Sequence, residues 1–267
     1  MNIKIISVDL KAQFGFLKKI DTNAGIYFTY NILHRPAILG ILGAIAGYKG
    51  IYQAYPKPVK ASEYWKKLEK IKMGVQPLNY KDGLFDKTIV QYNNSVGYAN
   101  TDGNLIIKEQ ILIAPSYKVY LKLDLDDIIN YSLYEKLKNK NAIFIPYLGK
   151  NDFQLWWDNF EEFEIFEEFF NPNNNFKLST IFFKKKSNIL NEHRLKQSDS
   201  FGFLNGFSSE NESKTFVFFE RLPIGYNNIT GNYNFQNFIF TNWLFKPSFD
   251  LDGLYKVGDN KQIIQLF

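Results

Sequence analysis

Cysteine is absent from the chain, which excludes disulfides, thiol catalysis and thiolate metal sites. Histidine is nearly as scarce: His34 and His193 are the only two, too few for a multi-histidine metal cluster. The longest apolar run, Ala37–Ala46, is too short to span a bilayer. The N-terminal Met-Asn-Ile-Lys-Ile-Ile runs straight into a strand pattern and does not resemble a signal peptide. Phosphate-cradling loops, dinucleotide fingerprints and nucleophile elbows are missing as well. These absences predict a cytoplasmic protein that does not enter membranes, with no metal ion or cofactor. Aromatic residues, by contrast, are abundant: 18% of the 267 residues, carried by 26 Phe and 17 Tyr. Such rings suit a core, a protein interface or a stacking platform for bases. The formal charge of +5 fits a polyanionic partner, though only mildly.

The hydrophobic pattern predicts an α+β chain in one unit, residues 1–267. Asn2–Leu10 alternates as a strand, and Lys11–Asn23 reads as a loop in which Lys11, Lys18 and Lys19 are interleaved with Phe14 and Phe16. Ile26–Tyr30 looks extended, and a helix follows from Pro36 to Tyr48. Proline suits the first helical turn. Gly40, Gly43 and Gly47, at spacings of three and four, share one face of that helix. Each interior glycine costs about 1 kcal/mol against alanine, so close packing on a sheet is expected there. The helix start is a candidate anion site, with His34 and Arg35 beside it.

Further on, Ser62–Lys72 is a short basic amphipathic segment, and residues 74–115 carry turn signals consistent with a hairpin arm. Tyr117–Leu123 alternates as a strand, Asn130–Lys138 reads as a helix and Ala142–Ile145 as a strand. Strand, helix, inserted hairpin, strand, helix, strand is a ferredoxin-like or RNA-recognition-motif plan. Residues 150–267 look β-rich, with Thr180–Phe183 and Thr215–Phe219 as candidate strands. The acidic, Phe-punctuated run Asp158–Phe170 reads as a solvated acidic face over an aromatic stripe. Lys184–Lys186 and the following stretch with His193 and Arg194 read equally well as a phosphate contact or a solvated loop.

Five segments, taken in order, resemble one family. They are Ile5–Phe16, Tyr30–Gly47, Glu109–Leu121, Ile145-Pro-Tyr-Leu-Gly-Lys150 and Phe219-Glu-Arg-Leu-Pro-Ile-Gly225. The family is the Cas five family, the RAMP-type subunit of type I CRISPR Cascade, and the overall look is most similar to type I-B. The resemblance implies a modified RRM/ferredoxin-like fold with a β-hairpin thumb and a β-rich C-terminal extension. It implies a non-catalytic role: gripping the five-prime handle of crRNA and capping the Cas seven backbone. The Cas eight large subunit and target DNA would lie nearby. The loop that opens at Lys11 would then line the handle, Lys18, Lys19 and Arg35 would meet phosphates, and Tyr27, Tyr30 and His34 would stack on or hydrogen-bond to splayed bases. Lys108, Glu109 and Gln110 would lie at the thumb base, and Lys150 would add a basic contact. The chain departs from the family where a proline-rich turn is usual, carrying Asn31-Ile-Leu-His-Arg-Pro36 instead. The competing reading is a metal-independent endoribonuclease that processes pre-crRNA, as in the type I-C relative, with His34, Tyr30 and Lys108 as candidate groups. A third is a protein-interaction module that uses the acidic Phe-rich stretch and touches no RNA.

Overall fold

The computed structural model describes residues 2–21, 25–50, 62–93, 105–168, 174–183, 215–227, 230–246 and 251–267. Strand β1 (Ile3–Ala12) pairs antiparallel with β7 (Ser116–Asp124) on one side and β8 (Leu155–Phe163) on the other. Strand β4 (Lys72–Leu78) closes the sheet against β7, giving the order β4-β7-β1-β8. Helix α1 (Arg35–Ala46) falls between β1 and β4, and α3 (Ile128–Lys138) between β7 and β8. This is the split β-α-β-β-α-β arrangement, so the expected α+β, ferredoxin-like class is what the chain adopts.

The period-2 pattern of the strands decides which face is buried against the helices. Ile6, Val8 and Leu10 of β1 and Val119, Leu121 and Leu123 of β7 join Met73 and Val75 in one core. Ile38, Leu39, Ile41, Leu42 and Ile45 of α1 and Leu133 and Leu137 of α3 cover them. The apolar stripe of α1 therefore faces the sheet, and its glycines do not. Gly43 lies against Tyr64 of the short helix α2 (Glu63–Leu68): a Cβ there would stand 2.5 Å from that of Tyr64. Gly47 ends α1 in a left-handed conformation, φ 83°, and Tyr48 N–H donates to the Gly43 carbonyl. Close packing of these glycines on the sheet, expected from the sequence, is replaced by contact with Tyr64 at Gly43, contact with Ile143 at Gly47 and open space at Gly40.

The apolar run 142–145 is not a strand. Its Ile143 and Phe144 N–H groups donate to the Ile45 and Ala44 carbonyls at the end of α1, and β8 takes the fourth place in the sheet. The aromatic-acidic run expected as one solvated face is divided between β8 and β9 (Ile165–Glu168). Residues 180–183 make only the isolated bridge Phe182–Ile239 in that stretch. An arm of β5 (Lys87–Asn93) and β6 (Ile106–Ile113) is inserted between β4 and β7. The residues expected at the start of this arm, 74–78, belong to β4. Strand β6 also pairs with β2 (Phe14–Gly15) and β3 (Ile26–Tyr27) at its base.

Strands β10 (Val217–Tyr226) and β11 (Tyr233–Thr241) form a hairpin, with β10 packed beside α1. Strand β12 (Leu254–Val257) pairs with β9 on one side and with β13 (Gln262–Gln265) on the other, and these strands cover part of the sheet face opposite the helices. There Tyr255, Val257, Ile264 and Leu266 bury Ile5 and Tyr120. The basic stretch 184–196 lies outside the described residues. Among the described residues no helix is long and apolar enough to cross a membrane.

Candidate RNA-binding groove

Two contacts tie the motifs to one another: a buried one joins the second, third and fifth, and another joins the first and fourth. Asn31 and Ile32 N–H groups donate to the carboxylate of Glu220 on β10, at 2.9 to 3.1 Å. The Asn31 side chain donates to the Gly83 carbonyl and accepts from Phe85 N–H and Lys87 Nζ, while the Asn31 backbone carbonyl accepts from the Tyr117 hydroxyl at 2.6 Å. Burial pushes the Glu220 pKa up, against the pull of Asn31, Lys19 and Ile32. The second contact joins 148–150 to the β2 segment. Phe16 N–H donates to the Leu148 carbonyl at 3.0 Å. Gly149, at φ 87°, lies so near the Phe16 carbonyl that a Cβ would sit 1.8 Å from its oxygen.

Between these contacts runs a groove of about 760 Å³ along the outer side of α1. Its walls carry Lys18, His34 and Lys150, the ring residues Tyr48, Tyr64, Phe144, Tyr147 and Tyr233, and the helix positions Pro36, Ala37 and Gly40. Lys18 is exposed, with its ammonium 3.8 Å from the centre of the Tyr27 ring. Tyr27 therefore supports the groove's lysine from behind the wall. Lys150 makes a 2.7 Å ion pair with Glu109 of β6 and lies over the Tyr92 ring of the arm at 4.6 Å. Burial works to lower the Lys150 pKa, but the hydrogen bond and charge of Glu109, with Tyr92 and Asp152, carry it upward.

His34 is the N-cap of α1: its Nδ1 accepts from Ala37 N–H at 3.3 Å. Burial lowers its pKa to about 4, so at neutral pH the ring is uncharged and the proton resides on Nε2. The helix start expected as an open anion site is thus capped from within, since Pro36 has no N–H and that of Ala37 is taken.

Other expected contacts are engaged elsewhere. Tyr30 is 3% exposed, edge-on to His34, and burial raises its hydroxyl pKa to about 12. Lys19 approaches Glu220 at 3.4 Å. Arg35 donates to the carbonyls of Ile224 and Glu69 and lies over the Trp65 ring, and burial lowers its pKa. Lys11 pairs with Asp158 at 3.0 Å, across β1 and β8. Lys108 is exposed and Gln110 half-buried on β6, where they oppose Gln91 and Ile89 of the arm. Of the ten candidates, Lys18, His34 and Lys150 meet in the groove; the other seven do not line it. Tyr64 and Tyr233 line it without any spacing or motif that marks them in the sequence.

A second hollow, about 470 Å³, is lined by Lys66, Lys67, Lys70, Lys72 and Lys122 with Asp124 and Asp127, and by no aromatic ring. Single-stranded nucleic acid is gripped by cations and stacking rings together, which selects the groove along α1.

No protein-family model and no curated protein matches this sequence. Similar solved structures include a CRISPR protein from Archaeoglobus fulgidus, with 9% identity over 98% of this chain and 97% of that one and a TM-score of 0.46. A chain of a type III-B Cmr-beta complex bound to cognate target RNA and AMPPnP shows 10% identity over 97% and 99%, with a TM-score of 0.45. A chain of a CRISPR RNA-guided surveillance complex shows 11% identity over 91% of each, with a TM-score of 0.42. At these scores the likeness carries no functional conclusion for this chain.

Proposed function

We propose that this chain is a non-catalytic crRNA-binding subunit of a type I, I-B-like CRISPR surveillance complex. Its groove grips the single-stranded five-prime handle, and the Cas seven backbone and Cas eight large subunit are its protein neighbours. The observation that carries this reading is the meeting of Lys18, His34 and Lys150, from three separate motifs, in one ring-lined groove. Lysines neutralise phosphates, rings stack on unpaired bases, and neutral His34 presents Nε2–H as a donor to a base edge or sugar. The arm, whose Tyr92 lies over Lys150, stands beside this groove where a thumb would close on the strand.

The endoribonuclease reading needs a general base near the scissile 2′-hydroxyl. His34 is poorly suited, with Nδ1 committed to the helix cap and its basicity lowered by burial. Tyr30, buried and raised to about 12, is no better.

The test is binding of a labelled five-prime handle RNA to the full chain across a salt series. Lys18→Ala combined with Lys150→Gln, which leaves Glu109 a donor, is expected to weaken binding and to lower the slope of log K on log salt by about 1.4, at about 0.7 for each phosphate no longer neutralised. Unchanged affinity and slope would remove the groove as the site. Defined cleavage of a repeat RNA without metal, abolished in His34→Ala, would replace this reading with the nuclease.

A further inference from the structure

Gly43 and Gly47 have structural reasons to lack a side chain; Gly40 has none. It sits inside the 12-residue helix α1, where glycine is unfavourable, and a Cβ built there meets no atom within 4 Å. The space beside it is the groove, between His34 at one end of the helix and Tyr48 at the other. A glycine that relieves no contact within the chain leaves room for something outside it, because it lets a ligand lie directly on the backbone.

We infer that Gly40 is a binding seat: a bare patch of α1 backbone on which the flat face of one unpaired nucleobase rests. The inference rests on the groove being an RNA site. The same groove carries the rings of Tyr64 and Tyr147, which suit a planar guest, and the ammonium groups of Lys18 and Lys150, which suit its phosphates. The seat makes no charged contact, so its contribution to binding is independent of salt, whereas that of the lysines is not.

The experiment compares the full-length wild type with Gly40→Ala, Gly40→Leu and the Lys18→Ala/Lys150→Gln double variant. The readouts are thermal melting and binding of a fluorescein-labelled single-stranded handle RNA. Gly40→Ala should melt a few degrees higher, since alanine favours the helix and its methyl meets nothing. Binding should weaken about tenfold in Gly40→Ala and further in Gly40→Leu, a loss of about 1.4 kcal/mol or more, with the salt slope kept at the wild-type value. An RNA lacking one base should reproduce this loss at a single position, and that position should become indifferent in Gly40→Leu. Wild-type affinity in Gly40→Leu, with binding weakened in the lysine variant, would overturn the seat and leave the RNA groove standing. Wild-type affinity in both would overturn the two together. A lower melting point for Gly40→Ala would show that its Cβ meets protein and would also overturn the seat.

Discussion

The carboxylate of Glu220 accepts the backbone N–H groups of Asn31 and Ile32 across some 189 positions of sequence, at 2.9 to 3.1 Å, inside the core. This one contact ties the β10 hairpin to the turn that launches α1. It thereby sets where His34 and the groove begin. Glu220→Ala would leave two buried donors without a partner and Lys19 without its carboxylate. A loss of about 2 to 5 kcal/mol is expected, at about 1 to 3 kcal/mol for each buried donor left unsatisfied. Chemical denaturation measures it; a loss under about 1 kcal/mol would show that the turn does not depend on Glu220.

His34 combines a cap and a depressed pKa, and this makes stability depend on pH. Its pKa is about 4 in the fold and near 6.5 when unfolded, so the unfolded chain binds the proton first. Stability from this group is therefore complete above pH 6.5 and declines as pH falls toward 4. At 1.36 kcal/mol per unit, the limit of the effect is on the order of 3 kcal/mol. His34→Asn keeps a side-chain cap and removes the titration. Melting curves of the two proteins should lie close together at pH 7 and diverge toward pH 4.5, where only the wild type loses stability. A wild-type profile as flat as that of the variant would contradict the neutral, part-buried ring.

Much of this scaffold is legible from residue order, and the reasons for the exceptions are physical. Strand β1 and helix α1 show their periods and their proline, so both fall where the pattern puts them. The Ile143-Phe144-Ile145 run has strand composition yet is exposed, because its N–H groups are used by the last carbonyls of α1. The true fourth strand, β8, is hidden by its charge: Glu161 and Glu162 face lysines at positions 118, 4 and 138 that no local window contains. The site follows the same logic. A basic residue can be read from sequence, but its partner cannot. Lys19, Arg35 and Lys11 carry the right charge and are engaged by groups far along the chain, whereas Lys18 is exposed at the groove. Tyr64 and Tyr233 reach the groove only through the docking of α2 and β11.

Glu109 and Lys150 form a lever on affinity, because the carboxylate offsets half of the groove's lysine charge. Glu109→Gln keeps the shape and frees the ammonium, so RNA should bind about threefold tighter at low salt, with the gain fading once the Debye length falls to about 3 Å near 1 M. Lys150→Ala should act in the opposite direction on binding and leave Glu109 buried without a cation, at about 2 to 3 kcal/mol of stability. Titrations at two ionic strengths, with melting curves beside them, check both. Weaker RNA binding by Glu109→Gln at low salt would mean that Lys150 needs its carboxylate in order to face the groove.

A second acid-sensitive element lies at the other end of the sheet. Glu162 accepts hydrogen bonds from Lys4, from the Tyr134 hydroxyl at 2.6 Å and from Lys138 at 3.1 Å, and so joins β8 to β1 and α3. The bond from Lys4, then those from Tyr134 and Lys138, hold its pKa down to about 2 against the effect of burial. The folded value lies below the unfolded value near 4.3, so the stabilisation is complete above that pH and disappears as pH falls toward 2. This window lies below that of His34. Acid unfolding should accordingly proceed in two stages, the upper removed by His34→Asn and the lower by Glu162→Gln. In Glu162→Gln, stability at pH 6 should already be lower than in the wild type and should change little more between pH 4.5 and 2.5. If the variant instead loses stability as steeply as the wild type over that range, another carboxylate governs the acid limb and the Lys4–Glu162–Lys138 cluster is only a surface decoration of the sheet.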